Sequence, residues 1–224
     1  ESVLMGELTG KAALVTGGSR GIGLAIASRL AAEGCDVALV ARDGKALSSA
    51  ADEITSRHGV RAVAITADLT SEDGCDGAAR RVLAEFGGLD ILINCAGDTK
   101  PGVFPAQPDA DWTNGFALKF FGTVRLTRAL WQALKVRSGT VINIGGAAAY
   151  TPAPLFMVGG AVNAALAHFT KSLSKQGLVD DVNVNIIHPG STATERMDAL
   201  VRQEAQATGI SEDEVRRRNR ERAG

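Results

Sequence analysis

The segment Thr16-Gly17-Gly18-Ser19-Arg20-Gly21-Ile22-Gly23 joins an apolar run, Ala12 to Val15, to a helical pattern that begins near Leu24. Glycines spaced G-x-x-x-G-x-G let the backbone turn tightly and approach a ligand closely. The N–H groups and dipole at the start of the following helix favour negative charge. The stretch therefore reads as a phosphate-binding turn built from Gly17, Ser19, Arg20, Gly21, Ile22 and Gly23. A flexible turn without a ligand is the rival reading; the strand before and the helix after weigh against it.

Such a turn needs a scaffold, and the chain supplies one. Strand-like runs at Ala12–Thr16, Val37–Ala41, Arg61–Thr66, Ile91–Asn94, Thr140–Ile144 and Val182–Ile187 alternate with helical patterns. Those helices are expected at Leu24–Glu33, Lys45–Arg57, Gly74–Phe86, Trp112–Val136, Val158–Gly177 and Glu195–Thr208. Alternation of this kind, with nearly unbroken apolar strands, implies an α/β fold: a parallel sheet covered by helices on both faces. Ligands of such sheets lie beyond the carboxyl ends of the strands, where strand order reverses.

Further short motifs stand at strand ends: Asp68-Leu69, Asn94-Cys95-Ala96-Gly97, and Pro189-Gly190 followed by Thr194. With the glycine turn, they make the chain similar to the short-chain dehydrogenase/reductase family over nearly its whole length. The resemblance implies one Rossmann-like doubly wound domain over residues 1–224, lacking the strand and helix with which members usually end. It also implies a hydride transfer between a nicotinamide cofactor and a carbonyl or alcohol. Asp68 and Leu69 would then contact the adenine, Asn94, Ala96 and Gly97 would line the cofactor, and Pro189, Gly190 and Thr194 would lie near the nicotinamide. Asn94 has a second reading, as a brace within the sheet.

Cofactor choice turns on the end of the second strand, Val40-Ala41-Arg42. An acid there, about 20 residues beyond the glycines, binds the ribose 2′-hydroxyl of NAD, whereas arginine accommodates the 2′-phosphate of NADP. Ala41 stands in the place of the acid. Arg42 and Arg20 are positioned to flank a phosphate, and Asp43 reads as the cap of the next helix. NADP(H) is therefore expected over NAD(H).

The family's catalytic groups are an Asn, a Ser and a Tyr-x-x-x-Lys pair, and landmark alignment finds none of them. Lys119 replaces the Asn, Gly146 stands at the Ser position, Gly159 at the Tyr position, and Asn163 at the Lys position. Lys119 with Asn163 reads as an exchange in which the ammonium comes from the other helix. Tyr150, in the loop after the fifth strand, is a candidate replacement acid, with His188 a marginal one; His168 is expected to pack or meet solvent. Gly159 and Gly160 suggest a helix that begins late. Two functions follow: an oxidoreductase with a non-standard proton donor, or a catalytically silent cofactor-binding sensor or partner subunit.

The formal net charge of −1 over 224 residues does not suggest a polyanion partner. No apolar run of about 18 residues is present, and no basic-then-apolar leader, so no membrane span is expected and cytoplasm is the default. Cys35, Cys75 and Cys95 are too scattered for disulfides or a metal site and are expected as free thiols. The arginine-rich run Arg216–Arg222 after Ser211-x-x-Glu214 reads as a solvated helix or tail, with a nucleic-acid patch as the weaker reading. Trp112–Val136 carries two apolar stripes, Trp112, Phe116, Phe120, Leu130 and Leu134 on one and Ala117, Phe121, Val124 and Trp131 on the other. Two stripes suggest a homodimer or homotetramer formed through the 112–136 and 158–177 helices.

Overall fold

The computed structural model describes residues 6–190, 192 and 194–223. Strands β1 (Ala12–Thr16), β2 (Asp36–Ala41), β3 (Ala62–Thr66), β4 (Ile91–Asn94), β5 (Thr140–Ile144) and β6 (Asn183–Ile187) form one sheet in the order β3-β2-β1-β4-β5-β6. Every neighbouring pair is parallel. Strand order reverses between β1 and β4, so a crevice opens there at the carboxyl ends. The helices are α1 (Gly21–Ala32), α2 (Gly44–His58), α3 (Glu72–Phe86), α4 (Asp109–Phe116), α5 (Thr123–Val136), α6 (Met157–Asp180), α7 (Glu195–Thr208) and α8 (Glu212–Ala223).

Side-chain alternation along the strands divides the core in two. Ala13, Val15, Val37, Leu39 and Ile93 pack on one face against Ala27 and Ala31 of α1 and Leu47, Ala50 and Ile54 of α2. Leu14, Ala38, Val40, Leu92 and Val141 pack on the other against Val82 of α3 and Leu126, Leu130 and Leu134 of α5. Burial of each such leucine contributes about 1.5–3 kcal/mol, so both faces are held firmly. A polar ladder crosses the second core. Asn94 donates to Thr127 (3.0 Å) and Asn143 (2.9 Å), and Asn143 donates to Thr170 (2.8 Å), joining β4, β5, α5 and α6. Buried amides are tolerated there because each finds partners.

Asp43 caps α2 by accepting from the Ala46 N–H at 3.1 Å, as its position after Arg42 suggests. Ser71 caps α3 and Thr194 caps α7 in the same way. Among the described residues, no side chain caps α1.

Two expectations are corrected. The helix carrying Gly159 and Gly160 does not start late: α6 begins at Met157. The Phe156 ring covers Gly159, and buried Val158 and Val162 anchor the same turn. That packing offsets the roughly 1 kcal/mol by which each glycine disfavours a helix. The expected helix over 112–136 is α4 and α5 joined by a π turn at Ala117–Gly122. Its wider winding rotates the residues that follow, so two uninterrupted stripes do not form. Leu130 and Leu134 are fully buried, whereas Phe121 is 46% exposed.

Near the end of the chain, Ser211 accepts from the Glu214 N–H at 3.2 Å and opens α8, whose Arg216 pairs with Asp198 of α7. The side chains of 219–223, including part of the arginine-rich run, lie outside the described residues. Among the described residues, no helix is long and apolar enough to cross a membrane.

Asp180, at the end of α6, pairs with Lys135 at 2.6 Å and accepts from Gln176 and Trp131, each at 2.8 Å. The Lys135 bond, then those from Gln176 and Trp131, lower its pKa from 3.8 to about 2. A depressed carboxylate stabilises the fold at neutral pH and loses that contribution as pH falls from about 4 through about 2. Asp180→Asn is expected to show a smaller loss of melting temperature over that window than the parent protein.

Candidate active site

The crevice is assembled from strand ends that are tied together. The Thr16 hydroxyl, at the end of β1, accepts from the backbone N–H groups of Cys95 and Ala96, both at 2.9 Å, just beyond β4. Gly17 follows in the left-handed region at φ +68°, and a Cβ on it would lie 3.2 Å from the Ala96 backbone. A side chain at Gly23, in the first turn of α1, would overlap the Gly17 carbonyl. The turn thus closes against both β4 and α1 because these positions carry no side chain. Among the described residues no side chain caps α1, and its positive dipole end faces this turn. The cradle fits a pyrophosphate.

Arg20 and Arg42 are both exposed on this rim. Thr70 bonds Asp68 through its backbone N–H (3.0 Å) and its hydroxyl (2.9 Å). The backbone bond, then the hydroxyl bond, hold this carboxyl below the usual carboxylate range, and the Arg42 charge adds to the effect. Leu69 is only 4% exposed, so its side chain belongs to the core while its backbone follows the rim. Thr194 approaches from the opposite wall: its methyl would be 3.7 Å from a Cβ on Gly21. Asn94, with both amide protons committed to Thr127 and Asn143, braces the sheet.

A second group of residues gathers at the ends of β4, β5 and β6. Lys119 sits within the π turn. Its stem crosses Gly97, whose Cβ would meet Lys119 Cδ at 2.8 Å, and its Nζ donates to the Gly145 carbonyl at 3.0 Å. The ammonium therefore stands between the ends of β4 and β5. Burial pushes the nearby Cys95 thiol up to about 11, against the opposing influence of Lys119. All three cysteines are free thiols.

Asn163 comes from the other side. It is 4% exposed on α6, and its Nδ2 lies 2.8 Å from where a Cβ on Gly146 would be. Lys119 and Asn163 thus flank the Gly145–Gly146 peptide from two helices. The space a side chain at Gly159 would take is filled by the Phe156 ring, for which the sequence offers one signal, an aromatic residue three positions before a glycine pair.

His188 follows β6, with Nδ1 within 3.2 Å of the Gly146 N–H and 3.0 Å of its carbonyl oxygen. The imidazole occupies space that a Cβ on Gly145 would enter, at 2.6 Å from Nδ1. Tyr150 stacks edge-on to His188 at 4.9 Å between centroids and is 71% exposed, so its ring lies on the rim of the site. His168 is exposed to solvent. The Pro189 carbonyl accepts from the Ala147 N–H at 3.3 Å, tying the loops beyond β5 and β6. Among the described residues, no cluster of three or more His, Cys, Asp or Glu side chains could hold a metal ion.

The comparisons agree with this fold. The short chain dehydrogenase family model matches residues 11–205. A 3-oxoacyl-(acyl-carrier-protein) reductase of Aquifex aeolicus is 34% identical over 199 residues, covering 88% of this chain and 80% of its own. The crystal structure of L-sorbose reductase from Gluconobacter frateurii, complexed with NADPH and L-sorbose, has a TM-score of 0.86 at 32% identity and covers 94% of this chain and 80% of that one. An NAD+-bound xylitol dehydrogenase has a TM-score of 0.86 at 27% identity, covering 90% of this chain and 78% of that one.

The cradle makes a direct prediction. Gly23→Ala would drive a methyl into the Gly17 carbonyl and is expected to cost about 1–3 kcal/mol, read as a lower denaturation midpoint. An unchanged midpoint would mean that the turn is not closed as described.

Proposed function

The chain belongs to the short-chain dehydrogenase family, and from that premise we propose that it is an oxidoreductase that moves hydride between NADP(H) and the carbon of a carbonyl or alcohol. The observation that carries this reading is the Lys119 ammonium, held 3.0 Å from the Gly145 carbonyl at the ends of the central strands. The bound nicotinamide would supply or accept the hydride. The chain's own residues do the rest.

Gly17, Gly21 and Gly23 receive the pyrophosphate against the start of α1. Arg20 and Arg42 take the 2′-phosphate through charge-assisted hydrogen bonds, which favours NADP(H) over NAD(H). Relatives do not decide that choice, since one holds NADPH and another NAD+. Lys119 stands in for the missing hydroxyl acid. As the carbonyl carbon gains hydride, the π pair moves to oxygen, and the ammonium stabilises that oxyanion and gives it a proton. The amine then regains its proton from solvent. Oxidation runs the same steps in reverse.

Oligomerisation through the 112–136 and 158–177 helices completes the proposal. The exposed Phe121 ring, which makes an edge-to-face contact with Phe120, is apolar surface suited to a second copy. A second reading, a catalytically silent cofactor-binding subunit, is favoured by one observation: the Phe156 ring fills the space over Gly159 that a catalytic side chain would need.

The two readings separate in one experiment. With NADPH and a panel of ketones, aldehydes and acyl thioester carbonyls, the enzyme reading expects turnover that falls about 100-fold or more in Lys119→Met, with NADPH binding retained. NADPH binding without any turnover would establish the silent subunit instead. Arg20→Ala combined with Arg42→Ala is expected to weaken NADPH about tenfold or more while leaving NADH within about twofold, measured by fluorescence titration. Equal weakening of both cofactors would overturn the arginine assignment.

A further inference from the structure

Two segments at the mouth of the crevice put apolar surface into solvent. Residues 101–106 read Pro-Gly-Val-Phe-Pro-Ala and follow β4; residues 150–157 read Tyr-Thr-Pro-Ala-Pro-Leu-Phe-Met and follow β5. Neither segment holds a charged residue. Val103 is 57% and Phe104 61% exposed, and Tyr150, Leu155 and Met157 are exposed as well. Single apolar side chains on a surface are ordinary, whereas a group of them marks a binding site. Here a backbone bond brings the two segments together: the Gly102 N–H donates to the Leu155 carbonyl at 2.9 Å.

The surface has a set shape. Phe104–Ala106 is a 3-10 turn that includes Pro105, and the Ala106 N–H donates to the Val103 carbonyl at 2.9 Å. Gln107 closes the loop by donating from Nε2 to the Lys100 carbonyl at 3.1 Å, and the Lys100 ammonium pairs with Asp111 of α4 at 3.4 Å. On the other segment the Phe156 N–H donates to the Ala153 carbonyl at 2.9 Å. Pro101, Pro105, Pro152 and Pro154 fix φ along both. A ligand that covers this surface therefore loses little to the ordering of loops.

Its position says what would cover it. Both segments leave the strand ends that the Lys119 ammonium joins, and Tyr150 rests edge-on against His188 just beyond β6. A substrate whose carbonyl met Lys119 would extend along this rim. A polyhydroxylated chain would set its hydroxyls against Val103, Phe104, Leu155 and Met157 and lose hydration there without replacement bonds. An aliphatic chain gains by leaving water at the same place.

We propose that the rim formed by Val103, Phe104, Leu155 and Met157 is a subsite for an apolar chain on the carbonyl or alcohol substrate, so that medium- and long-chain aliphatic compounds are preferred over sugars and short ketones. The inference rests on the oxidoreductase reading for the reacting end of the substrate.

The test uses the full chain with NADPH and unbranched methyl ketones from 2-butanone to 2-decanone, beside a ketohexose. kcat/KM is expected to rise about two- to fourfold for each methylene that reaches the rim, with the ketohexose about 100-fold or more below 2-decanone. Val103→Ser combined with Phe104→Ser is expected to halve the slope of log kcat/KM against chain length, at least, whereas Phe104→Leu, which keeps apolar surface, preserves it. Both side chains stand in solvent, so the melting temperature is expected to move by no more than about 2 °C.

A series that does not rise with length, a ketohexose used as well as 2-decanone, or a slope that survives the double serine variant would overturn the proposal. Loss of an oligomer in that variant, read by sedimentation, would overturn it too and assign the surface to a second copy. If no carbonyl turns over, the oxidoreductase reading fails on its own. Calorimetric titration of unbranched alcohols from 1-butanol to 1-decanol then decides the rim: affinity that climbs with length and drops about tenfold in the double serine variant sustains it, and any other result overturns it.

Discussion

The Thr16 hydroxyl accepts two backbone hydrogen bonds from the chain leaving β4, and the crevice depends on that joint. β1 and β4 are the strands between which the sheet reverses, so their ends diverge in connectivity even though they pair along their length. A single side-chain oxygen holds them in register where the ladder stops. The Asn94–Asn143 bridge repeats the arrangement one strand further on, with Thr127 and Thr170 completing it from the helices. These bonds brace the floor of the site, since they tie two strand ends to two helices.

Above that floor, side-chain volume shapes the inner crevice. Each glycine at the inner end of the crevice faces a larger neighbour that occupies its vacant side-chain space. The Lys119 stem lies over Gly97, the His188 imidazole against Gly145, the Asn163 amide beside Gly146, and the Phe156 ring over Gly159. Close packing makes these pairs interdependent. Placing a side chain at 146 or 159 is not a local change, since it would displace its partner. These pairs form one layer, in which the lack of side chains on the strand ends and on α6 is matched by bulk arriving from elsewhere.

Much of this was legible in the sequence. All six strands and six helical stretches, one of which the structure divides into α4 and α5, follow from hydrophobic periodicity, because a buried parallel sheet leaves nearly continuous apolar runs. The glycine turn and the Asp43 cap were readable because their chemistry is local. What escaped was decided by tertiary contact. The π turn at Ala117–Gly122 has no period of its own in the sequence, yet it rotates Lys119 toward Gly145 and turns Phe121 outward. Gly159 and Gly160 argued for a late helix start only because propensity cannot register the Phe156 ring. Asn94 allowed two readings until Thr127 and Asn143 appeared on either side of its amide.

The placement of Lys119 shows how these levels join. A lysine at the same position in a regular α-helix would point elsewhere by a good part of a turn, since one extra residue in the winding shifts every later side chain by about 100°. The π turn is held in place on both flanks: Gly122 is buried against Leu69, and Phe120 makes edge-to-face contacts with Phe116 and Phe169. The Thr123 hydroxyl donates back to the Lys119 carbonyl at 2.9 Å, so a side chain closes the wider turn where it returns to regular helix. The direction of one ammonium is therefore set by packing on three helices and one loop. Removing the charge and removing its support are separable perturbations. The first leaves the winding intact, while the second moves the charge without deleting it.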